Sequence, residues 1–224
     1  MPAGFVQGGS NIDFAVTAVS VTLTGVAAGN AIAFFVLWLS NTVTLDSVTG
    51  ITDTLQDNPT TVGTAGRGAQ GYAENVGGGN ITVTANFSGA VTAVLHAVEV
   101  SGVPASGIQD DHKANPQQSA GTGTDAITST GCTVTADGIL LAACGDLNPN
   151  SVPNLGTGFT LVSTRNWSLS EYKLIASGGT QAGTFTETEG FAENVTLAMS
   201  FKAAGGGGGS APVVGKRLRG FIYA

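Results

Sequence analysis

The feature that most constrains the fold of this chain is a succession of short runs in which apolar and polar residues alternate. In VSVTLTG at residues 19–25, valine and leucine alternate with serine and threonine, and NITVTANF at residues 80–87 repeats the pattern. A period of two residues is typical of a β-strand with one buried face and one face in solvent. No stretch combines the 3.6-residue apolar period of a helix with capping residues. The sequence therefore predicts an all-β protein.

Runs of this kind follow one another along the chain, bounded by Gly, Asn, Asp and Ser, which are typical of turns. They lie at residues 15–24, 31–39, 67–76, 80–87, 91–100, 127–135, 138–144, 158–164, 170–176, 182–188 and 194–203. So many short strands predict a two-sheet antiparallel β-sandwich or jelly roll. The run AIAFFVLWL at residues 31–39 is apolar on both faces, which predicts a central strand.

The two halves of the chain resemble each other in sequence. TLTGVAAGNAIAFFV at residues 22–36 is similar to GCTVTADGILLAACG at residues 131–145. Likewise, GYAENVGGGNITVTANF at residues 71–87 is similar to SEYKLIASGGTQAGTFTET at residues 170–188. We therefore expect one sandwich that is built from two similar halves.

The composition divides the chain into three parts. We expect the β-sandwich domain to occupy residues 1–204, a glycine-rich hinge residues 205–210, and an anchoring peptide residues 211–224. Within the first part, the polar segment at residues 101–125 contains proline and glycine and is predicted to be a loop that crosses between the halves.

Charge is scarce and unevenly distributed. Charged residues make up 10% of the sequence, against about 25% in an average soluble domain. The net charge is −7, but three of the eight basic residues, Lys216, Arg217 and Arg219, fall within the last nine positions. Residues 1–210 therefore carry five positive and fifteen negative charges. Such a body is not expected to bind nucleic acid, because phosphate contacts need clustered Lys and Arg.

Two further features bear on the compartment in which the chain is made. The N-terminal sequence MPAGFVQGGSNIDF lacks the basic start and long apolar run of a signal peptide, so we expect synthesis in a cytoplasm without membrane insertion. Cys132 and Cys144 are too few for a disulfide framework or a zinc site of paired CxxC motifs. Both lie in predicted strands, and we expect buried free thiols.

Two short motifs have the spacing of known ligand sites. GRGAQG at residues 66–71 has the glycine spacing of a dinucleotide-binding turn, but no predicted helix follows to receive the pyrophosphate. DDH at residues 110–112 offers metal-ligating side chains, yet adjacent residues of an extended loop point in divergent directions. We expect a chance match for the first, a solvated loop for the second, and neither a cofactor nor a metal.

Candidate catalytic residues are few. His96 shares a predicted strand face with Val94 and Val98, and no nucleophile elbow of the GxSxG type is present, so His96 is expected to be a hydrogen-bonded histidine of the sheet. Glu187 and Glu189 project from one face of a predicted strand, as a glycosidase pair would, but alternating Thr and Glu also keeps an exposed strand soluble. We expect a protein that is not an enzyme.

Exposed aromatic side chains can stack on sugar rings. Trp167 lies among polar residues, and Tyr72 and Tyr172 are further candidates for glycan contacts. A carbohydrate-binding module or adhesin that recognises a host-surface glycan is therefore the alternative function. A partly buried aromatic at a strand end is equally compatible with the sequence.

Several sequence segments together resemble a known class of protein. FVQGGSN, VTLTGVAAGNAIAFFVLW, GYAENV, VTAVLHAVEVSGV and LAMSFKAA are similar to the short β-sandwich structural proteins of tailed bacteriophages and related prophages. The resemblance covers residues 1–204. It implies a lectin-like or jelly-roll fold and a capsid decoration, spike or tail-fibre component, homo-oligomeric and without catalytic residues. It also implies assembly in the bacterial host cytoplasm and a final location on the virion.

The C-terminal peptide APVVGKRLRGFIYA interleaves apolar and basic residues after five glycines and a serine. An extended peptide of this composition can add to a sheet edge or lie in an acidic groove. We expect it to attach the protein to other virion proteins. The predicted partner-binding residues are Val213, Val214, Lys216, Arg217, Leu218, Arg219, Phe221, Ile222 and Tyr223.

Overall fold

In the computed structural model the chain is an all-β protein of antiparallel sheets, as the alternating pattern predicted. The structure describes residues 1–52, 54–62, 66–117, 125–146, 152–187 and 194–205, with residues 54–62, 116–117 and 125 described by their backbone alone. Strands, turns and bends account for the described ranges, and no helix occurs within them.

Six strands belong to the N-terminal half. They are β1 (Gly4–Val26), β2 (Ala31–Trp38), β3 (Leu45–Thr49), β4 (Thr54–Val62), β5 (Gly66–Ala73) and β6 (Gly79–Ser101). The C-terminal half contributes nine shorter strands within the described residues. They are β7 (Gln109–Gln117), β8 (Asp125–Thr128), β9 (Cys132–Val134), β10 (Gly138–Asp146), β11 (Thr160–Arg165), β12 (Ser168–Ile175), β13 (Gly179–Gln181), β14 (Thr184–Glu187) and β15 (Asn194–Phe201).

Two large sheets form the centre of the molecule. The first has the strand order β1-β6-β2-β5-β4, with β3 paired to β6, and the second has the order β11-β12-β10-β15-β7. Two small sheets, β13-β9 and β14-β8, complete the C-terminal half. The strands β2, β10 and β15 are buried along their whole length, because both faces are covered.

Three apolar cores separate four layers. The central core lies between the two large sheets, where side chains such as Phe35 and Leu37 of β2 pack with Leu141 of β10 and Leu197 of β15. A second core lies between β2 and the layer formed by the C-terminal part of β1, the N-terminal part of β6 and β3. A third lies between β10, β12 and the two small sheets. These layers form β-sandwich packing on both sides of the central core.

The second large sheet repeats the pairing of the first. β1, β6, β2, β5 and β4 pair in the same order as β7, β15, β10, β12 and β11. The bulges also correspond, since the ladder of β1 skips Val6 and that of β7 skips Asp110. In the edge strands, the ladder skips Gln56 of β4 and Val162 of β11. A bulge reverses the alternation of side chains along its strand. Bulges at corresponding positions therefore keep corresponding side chains on the same face of the two large sheets.

The central strand prediction is correct, and three other predictions need correction. Residues 80–87 and 91–100 are parts of one long strand, β6, which bends across two layers. Strands β3 and β4 were not predicted. The predicted crossing loop at residues 101–125 contains the edge strand β7, whose polar sequence QDDHKANPQ lacks apolar alternation because only β15 pairs with it.

The first and last described residues meet at one end of the molecule. The amino group of Met1 donates a hydrogen bond to the carbonyl oxygen of Ala204 at 3.0 Å. The Ala204 backbone N–H in turn donates to the carbonyl oxygen of Gly102 at 2.6 Å, at the connection between the halves. The chain therefore enters and leaves the described body at the same end.

Candidate functional site

His96 lies in the central core and contacts three serines of the opposite sheet. Its Nδ1 is 3.0 Å from Ser163 Oγ and 2.9 Å from Ser170 Oγ, and its Nε2 is 2.9 Å from Ser168 Oγ. Complete burial, with a smaller effect of the Arg165 charge, lowers the pKa of His96 to about 3. The ring is therefore neutral at physiological pH and hydrogen-bonded, as expected from its strand face. His96, Ser168 and Ser170 are fully buried and Ser163 is half-buried, so the cluster joins the two sheets through side-chain hydrogen bonds.

A second polar cluster lies between the second large sheet and its outer layer. Asp146 of β10, Glu171 of β12, Glu187 of β14 and Asn194 of β15 are each at most 2% exposed. Burial, followed by the charges of the three carboxylates, raises the pKa of the Cys144 thiol well above its ordinary value. Neither polar atom of the Asn194 side chain has a hydrogen-bond partner among the described residues.

Glu171, a member of this cluster, has a carboxyl pKa that is raised towards neutral pH. Burial raises its pKa to about 7, and backbone hydrogen bonds from Gly156 and Thr184 oppose that rise. The Gly156 N–H donates to Glu171 Oε2 at 2.9 Å. Glu187 was considered as half of a surface carboxylate pair, but it is buried, whereas Glu189 lies outside the described residues.

The same place in the first half is apolar. Trp38 and Phe87 fill the corresponding space with ring centroids 5.6 Å apart, where the second half has Asp146 and Glu187. The indole N–H of Trp38 donates to the carbonyl oxygen of Val43 at 3.0 Å. Within the part of the chain that the structure describes, no group of three His, Cys, Asp or Glu side chains is placed to hold a metal ion. The acidic cluster thus places buried polar groups in the second half where the first half has aromatic rings.

The DDH motif is part of a strand, so the expectation of a solvated loop is wrong. Asp110 accepts hydrogen bonds from the backbone N–H and the hydroxyl of Thr135, at 2.8 and 2.9 Å. Asp111 pairs with Lys113 at 2.7 Å and accepts the Thr133 N–H at 3.0 Å. These carboxylates bind the edge strand β7 to the outer layer and have a structural role.

The aromatic residues considered for glycan binding are not presented to solvent. Trp167 is 1% exposed in the central core, and Tyr72 is 8% exposed with its ring edge-on to Phe201 at 5.4 Å. The ring of Tyr172 is half-buried and stacks on Phe5 at 4.5 Å between centroids. Trp167 and Tyr72 as sugar-stacking residues are therefore a wrong prediction, because polar neighbours in sequence do not reveal a ring that turns inward. Tyr172 has one face covered by Phe5.

An apolar groove lies at the end of the molecule where the termini meet. It has a volume of about 360 Å³ and is lined by Pro2, Ala3, Gly4, Asp137, Gly138, Leu174, Ile175 and Ala176. The Ala3 N–H donates to the Asp137 carbonyl oxygen at 2.8 Å and fixes the N-terminal segment against the β9–β10 turn. Leu174 is 57% exposed. The sequence analysis missed this groove, although YKLIAS places Leu174 on the face opposite Lys173 and Ile175 of β12.

The predicted anchor at residues 211–224, with the partner-binding residues Val213 to Tyr223, lies outside the described residues, as do residues 206–210 of the predicted hinge. Cys132 and Cys144 are buried and free, as expected. Among the described residues, no helix is long and apolar enough to cross a membrane. Neither a scan against models of protein families nor a search of curated proteins finds a match to this chain.

Proposed function

We propose that this chain is a non-enzymatic structural protein of a tailed-bacteriophage virion, a capsid decoration, spike or tail-fibre component. In this proposal the β-sandwich body displays an outward surface, and residues 211–224 attach it to other virion proteins. The observation that carries the proposal is the 3.0 Å contact between the Met1 amino group and the Ala204 carbonyl. A body in which residues 1 and 204 meet is suited to attachment through that end, with the opposite end free.

The placement of polar groups supports a scaffold role. His96 and Glu171, whose pKa values are strongly shifted by burial, both lie between layers of the fold. Perturbed groups of an active site instead line a cleft that substrate can enter. Because these two groups are buried where layers meet, a structural role is favoured for them over a catalytic one.

We also infer that the two halves arose by duplication, each adopting a jelly-roll-like arrangement. Matching strand orders and bulge positions support this inference. Tyr72 lies opposite Thr54 in the first sheet, and Tyr172 lies opposite Thr160 in the second. A duplicated body provides a large rigid surface from a short repeating pattern, which suits a displayed subunit.

Purified virions from the phage or induced prophage that encodes the chain provide the test. Peptide mass spectrometry should find the chain in virions at a fixed stoichiometry. A phage encoding a chain that ends at Gly205 should yield virions without it, with the folded truncated protein in the supernatant. Absence of the full chain from virions would contradict the virion proposal, and full occupancy by the truncated chain would contradict attachment through the tail.

A further inference from the structure

We propose that the apolar groove at the terminal end binds the apolar residues of the chain's own C-terminal peptide, residues 211–224, when the protein is not attached to a particle. This inference rests on the proposed role of the peptide as an anchor. In this proposal the groove covers the anchoring peptide until the protein attaches to a particle.

The described chain leaves the body beside the groove. Ala204 contacts the Met1 amino group, and Pro2, the next residue, lines the groove. The six residues Gly205–Ser210 can extend at about 3.3 Å per residue, which gives a reach of about 20 Å. Since Ala204 contacts the residue next to Pro2, the hinge starts beside the groove. A short flexible link also gives the peptide an effective concentration in the millimolar range at its own groove.

The groove and the C-terminal peptide are chemically complementary. The groove presents the exposed side chain of Leu174 beside Pro2 and Ala176, and Asp137 lies at its border. The peptide offers apolar side chains, among them Leu218 and Phe221, interleaved with three basic ones. Apolar anchors in a groove with an acidic border suit a basic, apolar peptide.

Leaving both the groove and the apolar residues of the peptide exposed to solvent is unfavourable. Contiguous exposed apolar groups promote association in solution. Binding within one molecule covers Leu174 and the anchor together, and a virion protein with higher affinity for the peptide would release it. The body keeps its described contacts in a truncated chain, because the three described cores contain no residue beyond Ala203.

Hydrogen–deuterium exchange of the full chain, compared with a chain ending at Gly205, tests the proposal. Backbone amides of residues 172–177 should exchange at least about tenfold more slowly in the full chain, independently of protein concentration. Leu174→Asp should remove this protection, and Ala176→Arg provides a second variant if the first does not fold. Leu161→Asp is the matched control, because Leu161 is 46% exposed on another strand, and it should leave the protection unchanged.

A synthetic peptide of residues 211–224 adds a second readout. It should bind the truncated chain at least about tenfold more tightly than the full chain, whose groove is already filled, and Leu174→Asp should abolish binding. Equal exchange in full and truncated chains would overturn the proposal. Protection that grows with protein concentration would also overturn it, since that result indicates that the peptide of one copy binds the groove of another. None of these results depends on whether the chain is found in virions.

Discussion

Trp38 and Asp146 occupy corresponding positions in the two halves of the molecule. Trp38 lies opposite Ala93 in the first large sheet, and Asp146 lies opposite Asn194 in the second. One half therefore fills the space between sheet and outer layer with an indole ring, whereas the other half places a carboxylate there. The two halves should therefore differ in how their stability depends on pH.

Glu171 makes the stability of the C-terminal half depend on pH. Its pKa is raised from 4.5 to about 7 by burial, so the folded state holds the proton more tightly than the unfolded state. The contribution of Glu171 to stability is therefore complete below about pH 4.5 and is lost as the pH rises through about 7, by roughly 3 kcal/mol for an isolated shift of this size. Glu171→Gln should remove this loss, which urea unfolding between pH 4.5 and 8 would measure.

A control distinguishes this effect from general charge removal. Asp46 is exposed on β3, and Asp46→Asn should leave the pH profile of the wild type unchanged. If Glu171→Gln and the wild type lose stability in parallel between pH 4.5 and 8, the assignment to Glu171 is wrong.

His96 has the opposite dependence on pH. Burial lowers its pKa from 6.5 to about 3, so the unfolded state binds the proton more readily. Its contribution is complete above about pH 6.5 and is lost as the pH falls towards 3. His96→Ala should cost about 3 kcal/mol at pH 7, because it leaves a cavity and serine hydroxyls without their partner. The free energy of unfolding of the His96→Ala variant should also vary less than that of the wild type between pH 4 and 6.5. An unchanged slope in this window would contradict the role assigned to His96.

Trp167 is predicted to matter for stability and not for sugar binding. Trp167→Ala should lower the free energy of unfolding by about 3–5 kcal/mol, because a fully buried indole leaves a large cavity. Thermal unfolding followed by circular dichroism would measure the loss. A variant with wild-type stability that loses binding on a glycan array would instead restore Trp167 as a glycan contact.

Gly102 is required at the connection between the halves. It has φ of +68°, and a Cβ atom there would collide with the carbonyl oxygen of Pro2. Gly107 has φ of +60°, but a Cβ atom there would meet no other atom within 4 Å. Gly102→Ala should therefore destabilise the protein more than Gly107→Ala, whose left-handed backbone alone costs about 1–2 kcal/mol. Chemical denaturation of both variants checks the order, and equal losses would contradict the close approach of Pro2 to Gly102.

Alternation within strands made the fold class predictable, because a strand with one buried face leaves a period of two in the sequence. The central strand β2 was predictable for the opposite reason, since its run is apolar on both faces. Strand β7 was not predictable in this way, since an edge strand with polar residues on both faces has no such period. The inward turn of Trp167 and the burial of Glu187 also escaped prediction. Both depend on which layer covers a strand, and that is decided by pairing between distant segments.

Electron cryomicroscopy of purified virions most directly tests the central claim that the body is attached through the end where Met1 and Ala204 meet. Fitting the β-sandwich into the map should place Met1 and Ala204 towards the particle, with density for residues 206–224 continuing into a neighbouring virion protein. The opposite end of the sandwich should face solvent. A body whose Met1 and Ala204 point away from the particle would contradict this account.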